Sequence, residues 1–143
     1  MKYELMIDPN CEEKIVIYAK EKNAVVDEII KIAERNGNGL FGYDGSEIIK
    51  IDPCDIHYVS VIKNKIFAVC GDQKYLLKER LYVLEELLPE YFVRINQSCL
   101  ANIGKMERFD TSISGTLKIR FKNGDVDYVS RRQLRKVKER IGI

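Results

Sequence analysis

The spacing of apolar and polar residues changes near residue 40 and divides the chain into two parts. In the first part, residues 3–7 and 14–19 are rich in β-forming residues and predict two short strands. Residues 24–35 show a helical period, with Asn23 placed to cap the helix. The predicted buried face of this helix holds Val26, Ile29, Ile30 and Ala33. Residues 1–39 are therefore predicted to form a β-β-α extension.

The second part, residues 40–143, shows short apolar runs separated by turn-forming residues, which is typical of antiparallel β-structure. The predicted strands cover residues 40–43, 47–51, 56–62, 66–70, 74–78, 91–95, 117–121 and 126–128. Asn123 and Gly124, between the last two strands, favour a type I′ turn with a positive φ at both residues.

Two helices interrupt these strands. The first is predicted from leucines at positions 77, 81, 84 and 88, and Pro89 ends it. The second begins at Ser130, where Ser130 and Gln133 match a capping box. The predicted fold class is mainly β with α (α+β): an elongated stack of small antiparallel sheets with two helices, preceded by the extension.

Net charge differs between the two parts. Counted on either side of Gly45, residues 1–45 contain six Lys/Arg and nine Asp/Glu, whereas residues 46–143 contain 18 Lys/Arg and 13 Asp/Glu. The positive charge therefore lies in the second part. This asymmetry indicates an anionic partner for the second part.

Composition argues against several classes of protein. The four cysteines show no zinc-finger or redox spacing, and the single histidine, His57, removes most triads and histidine-based metal sites. We therefore predict reduced cysteines, no metal, no cofactor and no enzymatic activity. The chain has no signal-peptide pattern and no apolar run near the ~20 residues of a membrane helix, so a cytoplasmic protein that is not membrane-embedded is expected.

Three polar segments are candidates for binding. Arg131 and Arg132 stand in the first turn of a helix, where the dipole disfavours cations, so either an anion binds there or the face is simply solvated. Asn96 and Gln97 carry the amides that can read adenine, although from the residues alone a turn in which Asn96 and Ser98 satisfy local backbone groups is the favoured explanation. Residues 63–65 form a basic hairpin tip, a feature common on any surface.

Four short motifs follow one another: DIxY at 55–58, LxELLP at 84–89, FxRIxxSxxxN at 92–102 and NGxxxxVSRR at 123–132. With these motifs, residues 48–141 resemble the LytTR DNA-binding domain family. The resemblance implies a bacterial transcription regulator, short and without a receiver domain, whose loops enter successive major grooves of double-stranded DNA.

The resemblance also implies roles for particular residues. The expected base contacts are Asn96, Gln97, Arg132 and Asn64. The expected phosphate contacts are Lys63, Lys65, Ser98, Arg131 and Arg135. Asn102 matches a motif position assigned to structure. Many members have histidine where this chain has Asn96, so the base preference is expected to differ.

The implied partner is double-stranded DNA, bound at paired direct repeats by a homodimer. The alternative is a protein-interaction module whose acidic extension and strand edges bind another regulatory protein or a membrane-bound sensor. Binding to random duplex DNA at low salt distinguishes the two, because phosphate contacts give a sequence-independent affinity.

Overall fold

The computed structural model describes residues 2–12, 14–34, 40–112 and 115–143. The chain divides into two compact units, Met1–Glu34 and Arg35–Ile143. The predicted end of the first helix at residue 35 and the predicted domain boundary after residue 39 lie outside the described residues.

The described residues of the first unit form one helix, α1 (Ala24–Glu34). The side chain of Asn23 accepts a hydrogen bond from the backbone N–H of Val26 (3.0 Å), as predicted for a cap. Val26 is buried, but Ala33 at the other end of the predicted face is exposed.

The two strands predicted in the extension are wrong, because the described residues of 3–7 and 14–19 have no strand pairing. Their apolar side chains are largely exposed, with Tyr3 at 93% and Tyr18 at 94%. A β-strand is stabilised by its neighbours in a sheet, and β-forming residues alone do not supply a partner.

The described residues of the second unit form two antiparallel sheets and two helices. The seven-stranded sheet has the order β2-β1-β5-β4-β3-β7-β6, and the three-stranded sheet has the order β10-β9-β8. The strands are β1 (Leu40–Asp44), β2 (Glu47–Ile51), β3 (Tyr58–Ile62), β4 (Lys65–Cys70), β5 (Gln73–Leu77), β6 (Phe92–Asn96), β7 (Cys99–Asn102), β8 (Met106–Asp110), β9 (Leu117–Phe121) and β10 (Val126–Val129). The helices are α2 (Leu81–Leu87) and α3 (Arg131–Ile141), with short 3-10 turns at Pro53–Asp55 and Ile103–Lys105. This architecture confirms the predicted fold class.

Strands β6 and β7 lie between two hydrophobic cores. Phe92 and Leu100 point into a core shared with α2 and strands β1 to β5. Ile95 and Ala101 point the other way, into a core shared with the three-stranded sheet and Val137 of α3. Because successive side chains of a strand alternate between faces, this hairpin is buried on both sides and its turn has a rigid base.

Several local predictions need correction. Leu77 ends β5 and does not belong to α2, which begins only at Leu81. The residue at the N-cap of α3, Ser130, makes no side-chain capping bond, so the capping box is absent. In the β9–β10 turn only Gly124 has a positive φ (93°), so this turn is not type I′. Strand β8, which has a single buried residue, was not predicted at all.

Candidate nucleic-acid interface

Three connecting segments meet at one end of the seven-stranded sheet. At the end of β3, Val61 N–H donates to the carbonyl oxygen of Ser98 (2.9 Å), so the β3–β4 turn lies beside the β6–β7 turn. At the end of β6, Ser130 N–H donates to the carbonyl oxygen of Ile95 (2.9 Å), which brings the start of α3 to the same place. We call this region the loop end; it consists of residues 63–65, 96–98 and 130–132.

The β3–β4 turn presents exposed polar side chains in an unusual backbone conformation. Lys63 and Asn64 have positive φ angles of 51° and 65° and connect Ile62 to its cross-strand partner Lys65. A two-residue connection with two positive φ angles is a type I′ turn. The side chains of Lys63, Asn64 and Lys65 are all exposed, so this tip can contact a ligand.

The β6–β7 turn separates its two amide side chains into different environments. Gln97 is exposed, as is Ser98, whose backbone N–H donates to Asn96 Oδ1 (2.9 Å). Asn96 is half-buried, and its Nδ2 donates to Asp127 Oδ1 (3.1 Å) and to the carbonyl oxygen of Tyr128 (2.8 Å). Of the two amides, therefore, only Gln97 can bind a ligand without losing bonds within the protein.

Arg94 lies in β6 just before this turn, and the sequence assigned it no role. Its guanidinium donates to the carbonyl oxygens of Asn96 (2.9 Å) and Gln97 (2.7 Å) and forms an ion pair with Glu85 of α2 (3.0 Å). The available signal was a cation between apolar residues in the predicted strand 91–95, since such a charge needs nearby partners. Asp127, the partner of Asn96, gave no comparable signal.

The first turn of α3 presents two exposed cations. Arg131 and Arg132 have exposed side chains next to the helix N-terminus, where backbone N–H groups lack intrahelical acceptors. The side chain of Ser130, at the N-cap, accepts a hydrogen bond from none of these N–H groups. Arg135 lies one turn further along and pairs with Glu139 (3.4 Å) in an exposed i,i+4 ion pair.

At the opposite end of the sheet, which we call the far end, the start of β3 lies beside the β4–β5 and β9–β10 turns. There Tyr58 Oη donates to Asp125 Oδ2 (2.8 Å), and burial together with that carboxylate raises the pKa of Tyr58. Nearby, Gly71 N–H donates to His57 Nδ1 (3.1 Å), and burial and then Lys105 lower the pKa of His57. This far end holds the β9–β10 turn against the β4–β5 turn, through Asn123 Nδ2 and the carbonyl oxygen of Gly71 (3.0 Å).

Among the residues that the structure describes, no group of three or more His, Cys, Asp or Glu side chains is placed to hold a metal ion. All four cysteines are free thiols. None of the described helices is long and apolar enough to cross a membrane.

Comparison with known proteins assigns the fold and the family. Residues 46–142 match the model of the LytTr DNA-binding domain, which is a DNA-binding family and not an enzyme family. Uncharacterized HTH-type transcriptional regulators of Staphylococcus aureus strains NCTC 8325 and COL are each 35% identical over 146 residues, covering 100% of this chain and 99% of theirs. A LytTr DNA-binding domain from Bacillus cereus has the same fold, with a TM-score of 0.70 and 18% identity over 74% of this chain and 98% of that chain. The chain therefore belongs to the LytTR DNA-binding domain family, as the four motifs predicted.

Proposed function

We propose that this protein is a transcription regulator that binds specific sequences of double-stranded DNA through the loop end. The observation that carries the proposal is the convergence of three exposed polar segments, distant in the sequence, on one end of a rigid sheet. Family membership and the names of the Staphylococcus relatives support the same function.

The side chains of the loop end divide into two chemical roles. Gln97, Asn64 and Arg132 are exposed and carry the amide or guanidinium groups that pair with base edges in the major groove. Asn96, the fourth residue predicted to read a base, is less accessible because its amide is engaged within the protein. The proposed phosphate contacts are Lys63, Lys65, Ser98, Arg131 and Arg135.

Phosphate contacts and base contacts make different contributions. Phosphate contacts give salt-dependent affinity for any duplex, whereas base contacts distinguish one sequence from another. For Arg135, a phosphate competes with Glu139 for the guanidinium, and an exposed pair of this kind contributes only about 0.3–0.5 kcal/mol. DNA binding can therefore break it at little cost.

Selection of bound duplexes from a random pool tests the function as a whole. We expect enriched sequences containing two similar half-sites in direct repeat. A pool that stays random after repeated selection, with no binding to bulk duplex at low salt, contradicts the proposal.

Substitution of the reading residues tests the assignment of roles. Gln97→Ala and Arg132→Ala should each lower discrimination at one base pair of the selected site by about 1–3 kcal/mol. Titration of the selected duplex and of single-base-pair variants measures this change. Gln73→Ala, the same truncation at an exposed position of the far end, is the matched control and should bind as the wild type does. Wild-type discrimination in both loop-end variants contradicts the assignment.

A homodimer acting in the cytoplasm fits a regulator that binds paired repeats. Light scattering should show a dimer at high protein concentration or on a two-repeat duplex. A monomer under both conditions, including one monomer per duplex, contradicts the dimer and leaves DNA binding itself intact.

A second candidate function, binding of another regulatory protein or a membrane-bound sensor, is favoured by one observation. Apolar side chains of the extension are exposed, among them Leu5 (76%) and Ile7 (85%), and exposed apolar groups often mark partner surfaces. This function requires no loss of DNA binding. Absence of any binding to random duplex at low salt favours it as the sole function.

A further inference from the structure

The guanidinium of Arg94 is bonded to both carbonyl groups of the β6–β7 turn that precede Ser98. Nε donates to the oxygen of Asn96 (2.9 Å) and Nη2 to the oxygen of Gln97 (2.7 Å). The third nitrogen, Nη1, is 3.0 Å from Glu85 Oε2 on α2. All three nitrogens therefore have partners within the protein.

This arrangement differs from that of a DNA-contacting cation. The side chain of Arg94 is only 21% exposed, and three of its five N–H groups already have partners within the protein, so little of the guanidinium is left for a phosphate. The planar guanidinium can bond two carbonyls and a carboxylate at fixed angles, which the single ammonium of lysine cannot do. These contacts at position 94 therefore depend on the planar shape of arginine as well as on its charge.

The same turn is held from its other side by Asn96. The Nδ2 group of Asn96 bonds to Asp127 and to the backbone of Tyr128, in the strand that leads into α3. Its Oδ1 accepts from Ser98 N–H. Between these two attachments, the backbone of Gln97 is fixed while its side chain remains exposed.

We propose that Arg94, anchored by Glu85, is a positioning residue that presents Gln97 to the DNA, and that Asn96 acts with it by tying the turn to the start of α3. This inference rests on the proposed function of Gln97. Fixing the turn before binding removes an entropic cost from the complex and keeps the amide within the narrow geometry that base recognition requires.

Arg94→Lys tests the proposal, because it keeps the charge and removes the geometry. The probes are the selected duplex, the same duplex changed at the base pair to which Gln97→Ala is sensitive, and a random duplex. We expect about a tenfold loss of discrimination at that base pair, comparable to a lost base contact. Affinity for random duplex and its salt dependence should not change. The double variant, with Arg94→Lys and Gln97→Ala together, should discriminate no less than Gln97→Ala alone.

A second pair of variants guards against a folding defect in Arg94→Lys. Glu85→Ala removes only the anchor and should reduce discrimination at the same base pair by about threefold, as expected for loss of a half-exposed ion pair. Glu86→Ala, at the next exposed position of α2, should have no effect.

Three outcomes overturn the inference. If Arg94→Lys or Glu85→Ala retains full discrimination while Gln97→Ala loses it, only the positioning role fails. If Arg94→Met lowers the slope of log affinity against log salt by about 0.9, Arg94 is a phosphate contact instead. If the wild type shows no sequence preference or Gln97→Ala has no effect, the proposed reading function fails together with this inference.

Discussion

His57 is a buried titratable side chain whose hydrogen bond requires its neutral form. Nδ1 accepts from Gly71 N–H, so protonation of that nitrogen breaks the bond. Burial, followed by the positive charge of Lys105, lowers the pKa of His57 in the folded protein. The unfolded chain, with a histidine pKa of about 6.5, therefore takes up the proton first as pH falls.

This difference predicts a pH-dependent stability. The contribution of His57 is fully present above about pH 6.5 and is lost as pH falls from there towards the lowered folded pKa. His57→Asn keeps a side-chain acceptor that does not titrate. Urea unfolding at pH 7, 6 and 5 should show that the variant loses less stability than the wild type. Equal losses in the two proteins contradict the prediction.

At the level of single residues, the sequence identified which side chains carry binding chemistry, but not which of them are free to use it. Asn96 and Gln97 are adjacent amides of similar chemistry, and only the neighbouring strand β10 distinguishes them, by occupying the amide of Asn96. Arg94 was given no role for the same reason, because its contacts are with two carbonyl groups and a helix whose positions the sequence does not reveal.

Among the connecting elements, the β3–β4 turn carries backbone strain at the loop end. Lys63 has φ = 51°, in the left-handed region that costs an ordinary residue about 1–2 kcal/mol. Glycine avoids this cost and loses only about 0.5–1 kcal/mol through its more flexible unfolded state. The strain is therefore the larger of the two effects.

Two substitutions of Lys63 should accordingly differ in stability. Both Lys63→Gly and Lys63→Ala remove the charged side chain, but the glycine variant should be more stable by about 0.5–1 kcal/mol. At Lys74, in the extended strand β5, the order should reverse, because glycine within a strand is less stable than alanine by a similar amount. Denaturant midpoints measure both pairs; the same order at the two positions contradicts a strained turn.

The helices do not form a helix-turn-helix in the part of the chain that the structure describes. That motif joins two helices by a turn of three or four residues, whereas five strands, β6 to β10, separate α2 from α3. The names of the Staphylococcus relatives contain the term HTH, but the arrangement of α2 and α3 here fits the proposed binding through strand-end loops and the first turn of α3.

Elements with strong internal patterns were predicted, and those that depend on neighbours were not. Strand β9 and helix α3 show clear alternation or helical spacing and formed as expected. Strand β8 exposes four of its five residues, so its sequence carries little periodic signal. Residues 3–7 and 14–19 have β-forming residues and no partner strand among the described residues of their unit.

At the scale of the whole molecule, the position of a positive charge should matter more than its presence. Lys63 lies at the loop end and Lys74 near the far end, both exposed, and alanine at either position removes one charge. If DNA binds at the loop end, Lys63→Ala should reduce the slope of log affinity against log salt on random duplex by about 0.9.

Lys74→Ala is the matched control and should leave that slope unchanged. Filter binding or fluorescence anisotropy from low to moderate salt measures both slopes. An equal effect of the two variants indicates that net charge alone governs binding, which contradicts a localised interface.

The double-faced burial of the β6–β7 hairpin has a consequence for how the second unit unfolds. Val93 and Phe92 are adjacent in one strand and belong to different cores, so neither core can open without disturbing the backbone that supports the other. Melting should then be cooperative, and the amide protons of this hairpin should exchange with solvent only through global opening. The exposed side chain of Gln97 thus projects from the segment that is expected to unfold last.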